Sequence, residues 1–365
     1  MNFEYLQNIW YGDKIKPYPL IPLLKVISMP YRAFVGLRNE LYDHGLKHIE
    51  KLPCPIISVG NITVGGTGKT PMVIAIARLL LERGHHPAVI SRGYGGKAGD
   101  DVCIVSDGYE IKAGYREAGE EAVLIANSVV GVPVMTNPDR ARAGRVALKR
   151  FDIDALILDD AFQHRRLHRD LDIVMVDALR PFANGLMLPV GPLRESSASL
   201  RRAHILIRTG PDRNSHEQPD DDAALFRKAG FHGVILRGLH KPQALIHATG
   251  KDILPLDTIR GKKIVAFSGI GRPEHFRKTL LDLGAELAAF HIFPDHHTYL
   301  PADLERIQET FRHSGASWMV TTQKDQVKLR DSELLLQQTL VLIVEMTVQP
   351  NPETLLQTIM QTLNH

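Results

Sequence analysis

The sequence is poor in cysteine and in aromatic residues, and it carries almost no net charge. Its 365 residues contain two cysteines and 6% aromatic side chains. Cys54 and Cys103 form no CxxC pair, which excludes a disulfide framework and a cysteine zinc site and favours a reducing compartment. Lysine and arginine number 44 against 41 acidic residues, a net charge of +3, so no overall field attracts nucleic acid. We therefore expect a cytoplasmic protein that does not bind nucleic acid.

Long hydrophobic runs are also missing from the N-terminal segment, residues 1–50. It opens without the basic start and apolar core of a signal peptide. Residues 19–37 are the most apolar, but two prolines and two basic residues interrupt them, so they fail as a spanning helix of about 20 apolar residues. Bulky apolar residues interleaved with basic ones are typical of a helix lying on a membrane surface, and the basic residues are Lys14, Lys16, Lys25, Arg32 and Arg38. A helix packed on the protein is the alternative that stays open.

After residue 51, short apolar runs alternate with helical periods, which predicts an α/β fold with a mostly parallel sheet. The predicted strands are residues 55–59, 88–91, 155–158, 172–176, 264–268, 287–293 and 318–322, with a short pair within 102–111. The predicted helices are residues 69–83, 117–127, 140–151, 274–283 and 302–313. Residues 211–222 are predicted to form an exposed loop. We place a domain boundary near residue 230, so that a second, smaller α/β domain, residues 231–365, closes over the active-site cleft of residues 51–230.

The segment GNITVGGTGKT, residues 60–70, lies between a predicted strand and a predicted helix. Its glycines let backbone N–H groups turn toward phosphate oxygens, and the helix N-terminus adds its positive dipole end. Lys69 would reach the β and γ phosphates of ATP, and the Thr70 hydroxyl would ligate Mg²⁺. The sequence therefore predicts a P-loop NTPase-type domain whose nucleotide-binding loop includes Gly65, Gly66, Thr67, Gly68, Lys69 and Thr70.

A phosphate loop needs an acidic residue at the end of a neighbouring strand to hold Mg²⁺. Asp159 and Asp160 follow the apolar run of residues 155–158 and are predicted to fill this role. His164 and His168 have the spacing of a zinc pair, but the glutamate of an HExxH motif is absent and arginines crowd the site. We reject a metal site at these histidines.

Several ordered motifs resemble the tetraacyldisaccharide 4'-kinases, the lipid A 4'-kinases of Gram-negative bacteria. The resemblance covers most of the chain. It rests on GNITVGGTGKTP, SRGYGGK (residues 91–97), EAGEE (117–121), NPDR (137–140), LDDAFQHRRLHRDLDI (158–173), GPLRE (191–195), AFSGIG (266–271), FPDHHTY (293–299) and TTQKD (321–325).

This resemblance implies an ATP- and Mg²⁺-dependent lipid kinase. It would transfer the γ-phosphoryl group of ATP to the 4'-hydroxyl of an acylated disaccharide 1-phosphate, giving lipid IVA. Because that substrate lies in the inner membrane, the protein is expected at the cytoplasmic face of this membrane, as a peripheral protein.

The resemblance also implies roles for single residues. Asp159 and Asp160 would form the acidic Mg²⁺-binding pair, and His296 would work with a catalytic acid. Four further residues match positions that line the nucleotide or substrate cleft, namely Tyr94, Arg140, Arg194 and Glu195. The basic run at residues 165–169 could receive the 1-phosphate of the substrate.

The chain departs from the family pattern at the expected catalytic base. The family motif is usually EAGDEP, whereas this chain has EAGEEA, so Glu120 stands at the position of the aspartate. The extra methylene displaces the carboxylate, and an error of about 1 Å in position can lower a rate about a hundredfold. Ala161 stands where glycine is common, which predicts that this residue does not need positive φ. Thr63 departs from the strict P-loop consensus but agrees with the family.

Two other P-loop functions compete with the kinase interpretation. A membrane-associated ATPase switch of the deviant Walker type would need its signature lysine at position 64, where this chain has Val64. A GTPase would need Asn-Lys-x-Asp, and residues 322–325 place the lysine one position too late.

Overall fold

The computed structural model describes residues 9–11, 21–97, 99, 101–210, 220–250, 252–329, 333–350 and 352–363. The helices are α1 (Ile21–Asp43), α2 (Lys69–Glu82), α3 (Tyr115–Ala118), α4 (Glu120–Ser128), α5 (Arg140–Arg150), α6 (Asp220–Lys228), α7 (Pro273–Asp282), α8 (Pro301–Ser314), α9 (Gln323–Gln326), α10 (Glu333–Gln337) and α11 (Pro352–Leu363). The strands are β1 (Ile56–Asn61), β2 (Pro87–Ser91), β3 (Cys103–Gly108), β4 (Val132–Thr136), β5 (Ala155–Asp159), β6 (Leu171–Asp177), β7 (Ile205–Thr209), β8 (Val234–His247), β9 (Ile253–Leu254), β10 (Lys263–Ser268), β11 (Glu286–Ile292), β12 (Trp318–Thr322) and β13 (Thr339–Gln349).

The strands form one sheet in the order β11-β10-β12-β13-β8-β7-β6-β1-β5-β2-β4-β3, and β9 pairs with β8. Neighbouring strands are parallel except in the pairs β13–β8, β8–β9 and β3–β4. The predicted α/β class with a mostly parallel sheet is therefore confirmed.

Strand β1 lies between β5 and β6, and its side chains are all buried. Both of its neighbours run parallel to it, so the carboxyl ends of the three strands meet at one edge of the sheet. Ligands of open parallel sheets bind at this edge. The strands end there at Asn61, Asp159 and Asp177, and β1 leads directly into the glycine-rich loop.

The structure corrects several boundaries. The predicted helix 117–127 is two helices, α3 and α4, because Gly119 between them has φ of 84°. The sequence pattern does not predict strands β4, β7, β8, β9 and β13. The predicted short pair within residues 102–111 is one strand, β3, with an isolated bridge between Ser106 and Ile111. Of the predicted loop at 211–222, residues 211–219 lie outside the described residues, and α6 begins at Asp220.

The sheet continues across the predicted domain boundary near residue 230. Strand β7 pairs in parallel with β8, and β8 pairs antiparallel with β13. Residues on both sides of the boundary thus contribute to one sheet, and the division into residues 1–50, 51–230 and 231–365 stays a prediction.

The N-terminal segment contains the 23-residue helix α1, which continues through Pro30. Leu24, Ser28 and Val35, about one turn or two turns apart, are buried against the protein. Large apolar residues on the rest of the helix are exposed, namely Leu23, Val26, Ile27, Met29, Phe34 and Leu37. None of the described helices is long and apolar enough to cross a membrane. One face of α1 is therefore packed on the protein, and its other faces present an apolar surface.

Candidate active site

The glycine-rich loop is held in shape by contacts within it. Gly65 and Gly68 have φ of 119° and 81°, a region that disfavours residues with a Cβ. The Asn61 side chain at the end of β1 donates to the Thr67 hydroxyl at 3.0 Å and, more weakly, to the Gly65 carbonyl at 3.4 Å. The loop therefore enters the first turn of α2 in a defined conformation.

Lys69 and Thr70 form the first turn of α2, where free N–H groups and the helix dipole favour an anion. The Lys69 ammonium lies 3.8 Å from an Asp160 carboxylate oxygen. Thr70 is buried beside the loop. The structure thus brings together the lysine, the threonine and the acidic pair that the sequence singled out.

Asp159 and Asp160 differ in environment although they are adjacent. Asp159 is buried, one of its oxygens has no hydrogen-bond partner within the described parts of the chain, and the Ser91 hydroxyl approaches the other at 3.4 Å. Burial, with the negative charges of Glu121 and Asp160, raises the pKa of Asp159 to about 8. A divalent cation would satisfy this oxygen and stabilise the ionised carboxylate, so the site fits Mg²⁺.

Asp160 faces the positive charges of the site. Burial by itself would raise the pKa of Asp160, but Lys69 and Arg194 lower it below its usual value. One Arg194 guanidinium nitrogen, Nη1, donates to both Asp160 oxygens at 2.9 Å. Asp160 has φ of 48°, and the positive φ of this turn therefore falls on Asp160 rather than Ala161.

The other two predicted cleft residues from the NPDR and GPLRE motifs have different surroundings. Arg140, at the start of α5, is buried and donates to the Pro138 carbonyl at 2.9 Å and to the Asp160 carbonyl at 3.4 Å. Burial lowers its pKa to about 10. Glu195 is fully buried and accepts from Arg38 at 2.6 Å and Arg202 at 2.5 Å, so it faces away from the cleft.

Glu120 begins α4, and its buried carboxylate is surrounded by nitrogen atoms from the C-terminal part of the chain. His296 Nδ1 lies 2.5 Å from Glu120 Oε1, and Lys324 Nζ lies 2.9 Å from the same oxygen. Lys328 Nζ lies 3.1 Å from Glu120 Oε2. The Tyr94 ring packs edge-on against His296, with ring centroids 5.4 Å apart. The structure therefore joins Glu120, His296 and Tyr94, which are far apart in the sequence.

These contacts divide the roles of Glu120 and His296. Burial by itself would raise the pKa of Glu120, but the hydrogen bond with His296 and the charges of Lys324 and Lys328 lower it to about 2. The hydrogen bond with Glu120 in turn raises the pKa of His296 above its usual value. Glu120 is thus held as an anion, and its contact with His296 favours the protonated form of the imidazole.

Glu120, Asp295 and His296 offer ligand atoms within 4.8 Å of one another, a metal-like group among the described residues. Lys324 also contacts Asp295 Oδ1, at 2.8 Å. Two ammonium groups therefore already neutralise this group of acids, and a cation there would face repulsion.

Three residues of the site were missed by the sequence analysis. Glu121 lines the cleft and contributes to the raised pKa of Asp159. Lys324 and Lys328 are four residues apart, a spacing that places both on one side of a helical turn, and the TTQKD motif contains the first of them. Nothing local in the sequence indicated that their partner is Glu120.

Most of the predicted site residues border one cleft of about 2160 Å³, whereas Glu120, Asp159 and Glu195 are buried and do not line it. Eleven of them line it, namely Gly65, Gly66, Thr67, Gly68, Lys69, Thr70, Tyr94, Arg140, Asp160, Arg194 and His296. The cleft is also lined by Tyr31, Val35 and Arg38 of α1. A volume of this size exceeds the roughly 300 to 1,000 Å³ of ordinary small-molecule pockets.

The basic run at 165–169 is largely engaged in ion pairs. Arg165 pairs with Asp43 at 2.6 Å, and Arg169 pairs with Asp172 at 2.9 Å. Arg166 is exposed and lies 3.3 Å from Asp139. Burial lowers the pKa of His164 to about 4. Arg165 and Arg169 would each have to leave their carboxylate partner to bind a substrate phosphate.

The fold and the site define a P-loop phosphotransferase, because the glycine-rich loop, Asp160 and His296 border one cleft. The family profile described as LpxK, Tetraacyldisaccharide-1-P 4'-kinase, matches residues 20–364. A tetraacyldisaccharide 4'-kinase of Syntrophus aciditrophicus is 50% identical over 359 residues, covering 95% of each chain. One of Anaeromyxobacter dehalogenans strain 2CP-C is 41% identical over 327 residues, covering 89% of this chain and 86% of its own.

A solved structure of LpxK from Aquifex aeolicus in complex with ATP is similar to this one, with a TM-score of 0.76 and 31% identity. The match covers 94% of this chain and 99% of that one. The chain belongs to the tetraacyldisaccharide 4'-kinase family, which confirms the resemblance found in the sequence.

Proposed function

We propose that this protein transfers the γ-phosphoryl group of ATP to the 4'-hydroxyl of an acylated glucosamine disaccharide 1-phosphate, giving lipid IVA. The observation that carries the proposal is that the phosphate loop and His296 line one cleft, with Glu120 buried behind His296 at 2.5 Å. Family membership supplies the substrate class.

Residues of the phosphate loop and of the cleft wall would neutralise the negative charge of the ATP phosphates. Lys69 would contact the β and γ phosphates, and Arg194 and Arg140 would balance charge that develops during transfer. The Thr70 hydroxyl and Asp159 would hold Mg²⁺, with Asp160 beside them, and the metal would supply positive charge to neutralise the phosphates.

The proton of the sugar hydroxyl needs an acceptor. Because His296 Nδ1 bonds Glu120, the histidine tautomer with its hydrogen on Nδ1 leaves the Nε2 lone pair to accept that proton, and Asp295 Oδ2 lies 3.6 Å from this nitrogen. Glu120 fixes the ring and stabilises the imidazolium that forms, as a carboxylate does for a histidine base in other enzymes. The catalytic roles predicted for Glu120 and His296 are thus shared, with His296 as the acceptor. A positioned base contributes about 10²- to 10⁴-fold in rate.

The lipid substrate requires access to a membrane surface. The exposed apolar residues of α1 and the neighbouring Lys25 and Arg32 have the composition of an interfacial helix. Tyr31 and Arg38 of the same helix line the cleft, so a lipid held at α1 would lie at the entrance to the active site. We propose that the protein acts as a peripheral protein at the cytoplasmic face of the inner membrane.

The competing P-loop functions have less support. An ATPase switch lacks its lysine at Val64. For a GTPase, Asp325 would have to read guanine, but its carboxylate is fully buried and bonded to Tyr299 and Thr322.

The test is transfer of label from γ-labelled ATP to a detergent-dispersed acylated disaccharide 1-phosphate. Wild-type protein should form a labelled bisphosphate, Lys69→Ala should form almost none while remaining folded, and Lys149→Ala, at an exposed helix end, should match wild type. Hydrolysis of ATP without labelled lipid would overturn the proposal, as would Lys69→Ala activity within about tenfold of wild type.

A further inference from the structure

Residues 187–195, called here the strap, run along the edge of the phosphate loop. The Val64 amide donates to the Pro192 carbonyl at 2.8 Å, and the Arg194 amide donates to the Ile62 carbonyl at 2.8 Å. Near the end of the strap, Arg194 Nη1 donates to both carboxylate oxygens of Asp160. The position of the Arg194 side chain thus depends on how the strap is held.

Helix α1 also contacts the strap, through three hydrogen bonds. The Tyr31 hydroxyl donates to the Arg194 carbonyl at 2.9 Å. Arg38 donates to Glu195 at 2.6 Å, and the Ser28 hydroxyl donates to the Met187 carbonyl at 3.2 Å. Arg38, which the sequence placed among the membrane-facing basic residues, therefore turns inward.

The anchoring charge at Glu195 is fully enclosed. Arg38 bonds one carboxylate oxygen and Arg202 bonds the other, and the Arg202 guanidinium lies 4.5 Å from the centre of the Phe162 ring. Phe162 follows Asp160 by two residues. A buried carboxylate between two arginines fixes its backbone firmly, because moving it would leave charges unpaired.

The other faces of α1 carry the exposed apolar residues that we assign to lipid contact. The same rigid helix thus has lipid-facing side chains on one side and strap contacts on the other. Helices move as units, so a shift of α1 would move Tyr31 and Arg38 together, and the strap with them.

We propose that Arg38 and Tyr31 are positioning residues that couple the lipid-facing helix α1 to Arg194 through the strap. The proposal rests on the proposed function, and it adds a role for α1 in the transfer step beyond membrane attachment. Neither residue needs to touch ATP for this role. Each acts by fixing the backbone that carries Arg194.

The test compares Arg38→Met with Arg38→Lys and with Arg150→Met, a matched change at an exposed arginine at the end of α5. We expect Arg38→Met to lower kcat by about 10- to 100-fold, the scale of a 1 Å misplacement, with the KM for ATP changed by less than about threefold. Arg38→Lys should recover most of the loss because it restores the charge. Arg150→Met should match wild type.

A double-mutant cycle separates positioning from a general loss of structure. If Arg38 acts through Arg194, Arg38→Met combined with Arg194→Met should have the same kcat as Arg194→Met alone. Multiplicative effects, or Arg38→Met activity equal to that of Arg150→Met, would overturn the proposal.

Tyr31→Phe provides a second variant if Arg38→Met does not fold. It removes only the hydroxyl that bonds the Arg194 carbonyl, and we expect kcat to fall by about 2- to 10-fold with binding to anionic vesicles unchanged. Wild-type kcat in Tyr31→Phe would overturn the role of that residue. Failure of wild-type protein to label the lipid would instead overturn the proposed function, so the two failures are distinguishable.

Discussion

Replacing Glu120 with glutamine distinguishes a histidine base from a carboxylate base. Glutamine keeps the volume of the side chain but removes the charge that His296, Lys324 and Lys328 share. The two lysines retain other acidic partners, Lys324 with Asp295 at 2.8 Å and Lys328 with Asp325 at 3.2 Å. We therefore expect a loss of about 1 to 3 kcal/mol in stability, less than the 3 to 5 kcal/mol of a fully broken buried pair.

The pH dependence of kcat distinguishes the two candidate bases more clearly than the loss of stability does. The hydrogen bond with Glu120 raises the pKa of His296 above the ordinary 6.5, so wild-type kcat should increase with pH as the imidazolium loses its proton above that value. The Glu120→Gln variant lacks the carboxylate that raises the pKa of His296, whereas Lys324 still lowers this pKa. The rise in kcat should therefore move to lower pH, and its plateau should fall by about 10²- to 10⁴-fold.

A carboxylate base predicts a different profile. The pKa of Glu120 is about 2, so a reaction limited by its ionisation would show constant kcat throughout the neutral range. The stabilisation by ionised Glu120 is present above its unfolded pKa of 4.5 and is lost as pH falls from there toward 2. Acid unfolding thus lies well below the pH range in which His296 titrates.

The assay measures kcat at saturating ATP and lipid across the neutral range, with thermal unfolding recorded at each pH. Glu117→Gln, the same change at an exposed position of α3, is the control, and Glu120→Asp should keep the wild-type profile because it keeps the charge. A flat wild-type profile would refute a histidine acceptor. So would a Glu120→Gln profile that retains the wild-type plateau.

Three further outcomes are expected. Because burial raises the pKa of Asp159, Mg²⁺ should bind more tightly as pH rises toward 8, and its binding should release a proton. Calorimetry in buffers of different ionisation enthalpy measures this release. Asp159→Asn should abolish both effects, and a pH-independent wild-type affinity would contradict the prediction. The double substitution Phe34→Asp, Leu37→Asp should weaken binding to anionic vesicles by about tenfold or more in sedimentation assays. The reason is that each apolar side chain buried in the membrane contributes about 1.5 to 3 kcal/mol to binding. Unchanged binding would argue against α1 as the lipid surface. Deleting residues 1–37 should move the protein to the soluble fraction and raise the KM for lipid, with little change in the affinity for ATP. Because the deletion removes Tyr31, it should also lower kcat. An unfolded product would instead show that α1 belongs to the core.

Much of the sheet could be predicted from the sequence because its central strands are short apolar runs with clear boundaries. Two of the missed strands, β4 and β8, interrupt their own pattern, whereas β7 and β13 are apolar runs that the same criterion could have identified. Pro133 lies inside β4, and Gly238 and Pro242 lie inside β8, residues that normally argue against a strand. Pairing with neighbouring strands stabilises β4 and β8 despite these residues.

The sequence by itself determined the parts of the site whose residues are neighbours in the chain. The glycine-rich loop, Lys69 and Thr70 follow one strand directly, and Asp159 and Asp160 end another, so local geometry specifies their chemistry. Parallel pairing of β1 and β5 then places these two groups at the same edge of the sheet.

Only the tertiary structure decided which distant charges meet. It placed Lys324, Lys328 and His296 around Glu120, and it turned Arg38 and Glu195 toward each other and away from solvent. A charged residue in a sequence indicates only that a partner or water is needed. Which partner it finds depends on the order of the strands and on which helix face is buried, because these bring together segments that are far apart in the chain.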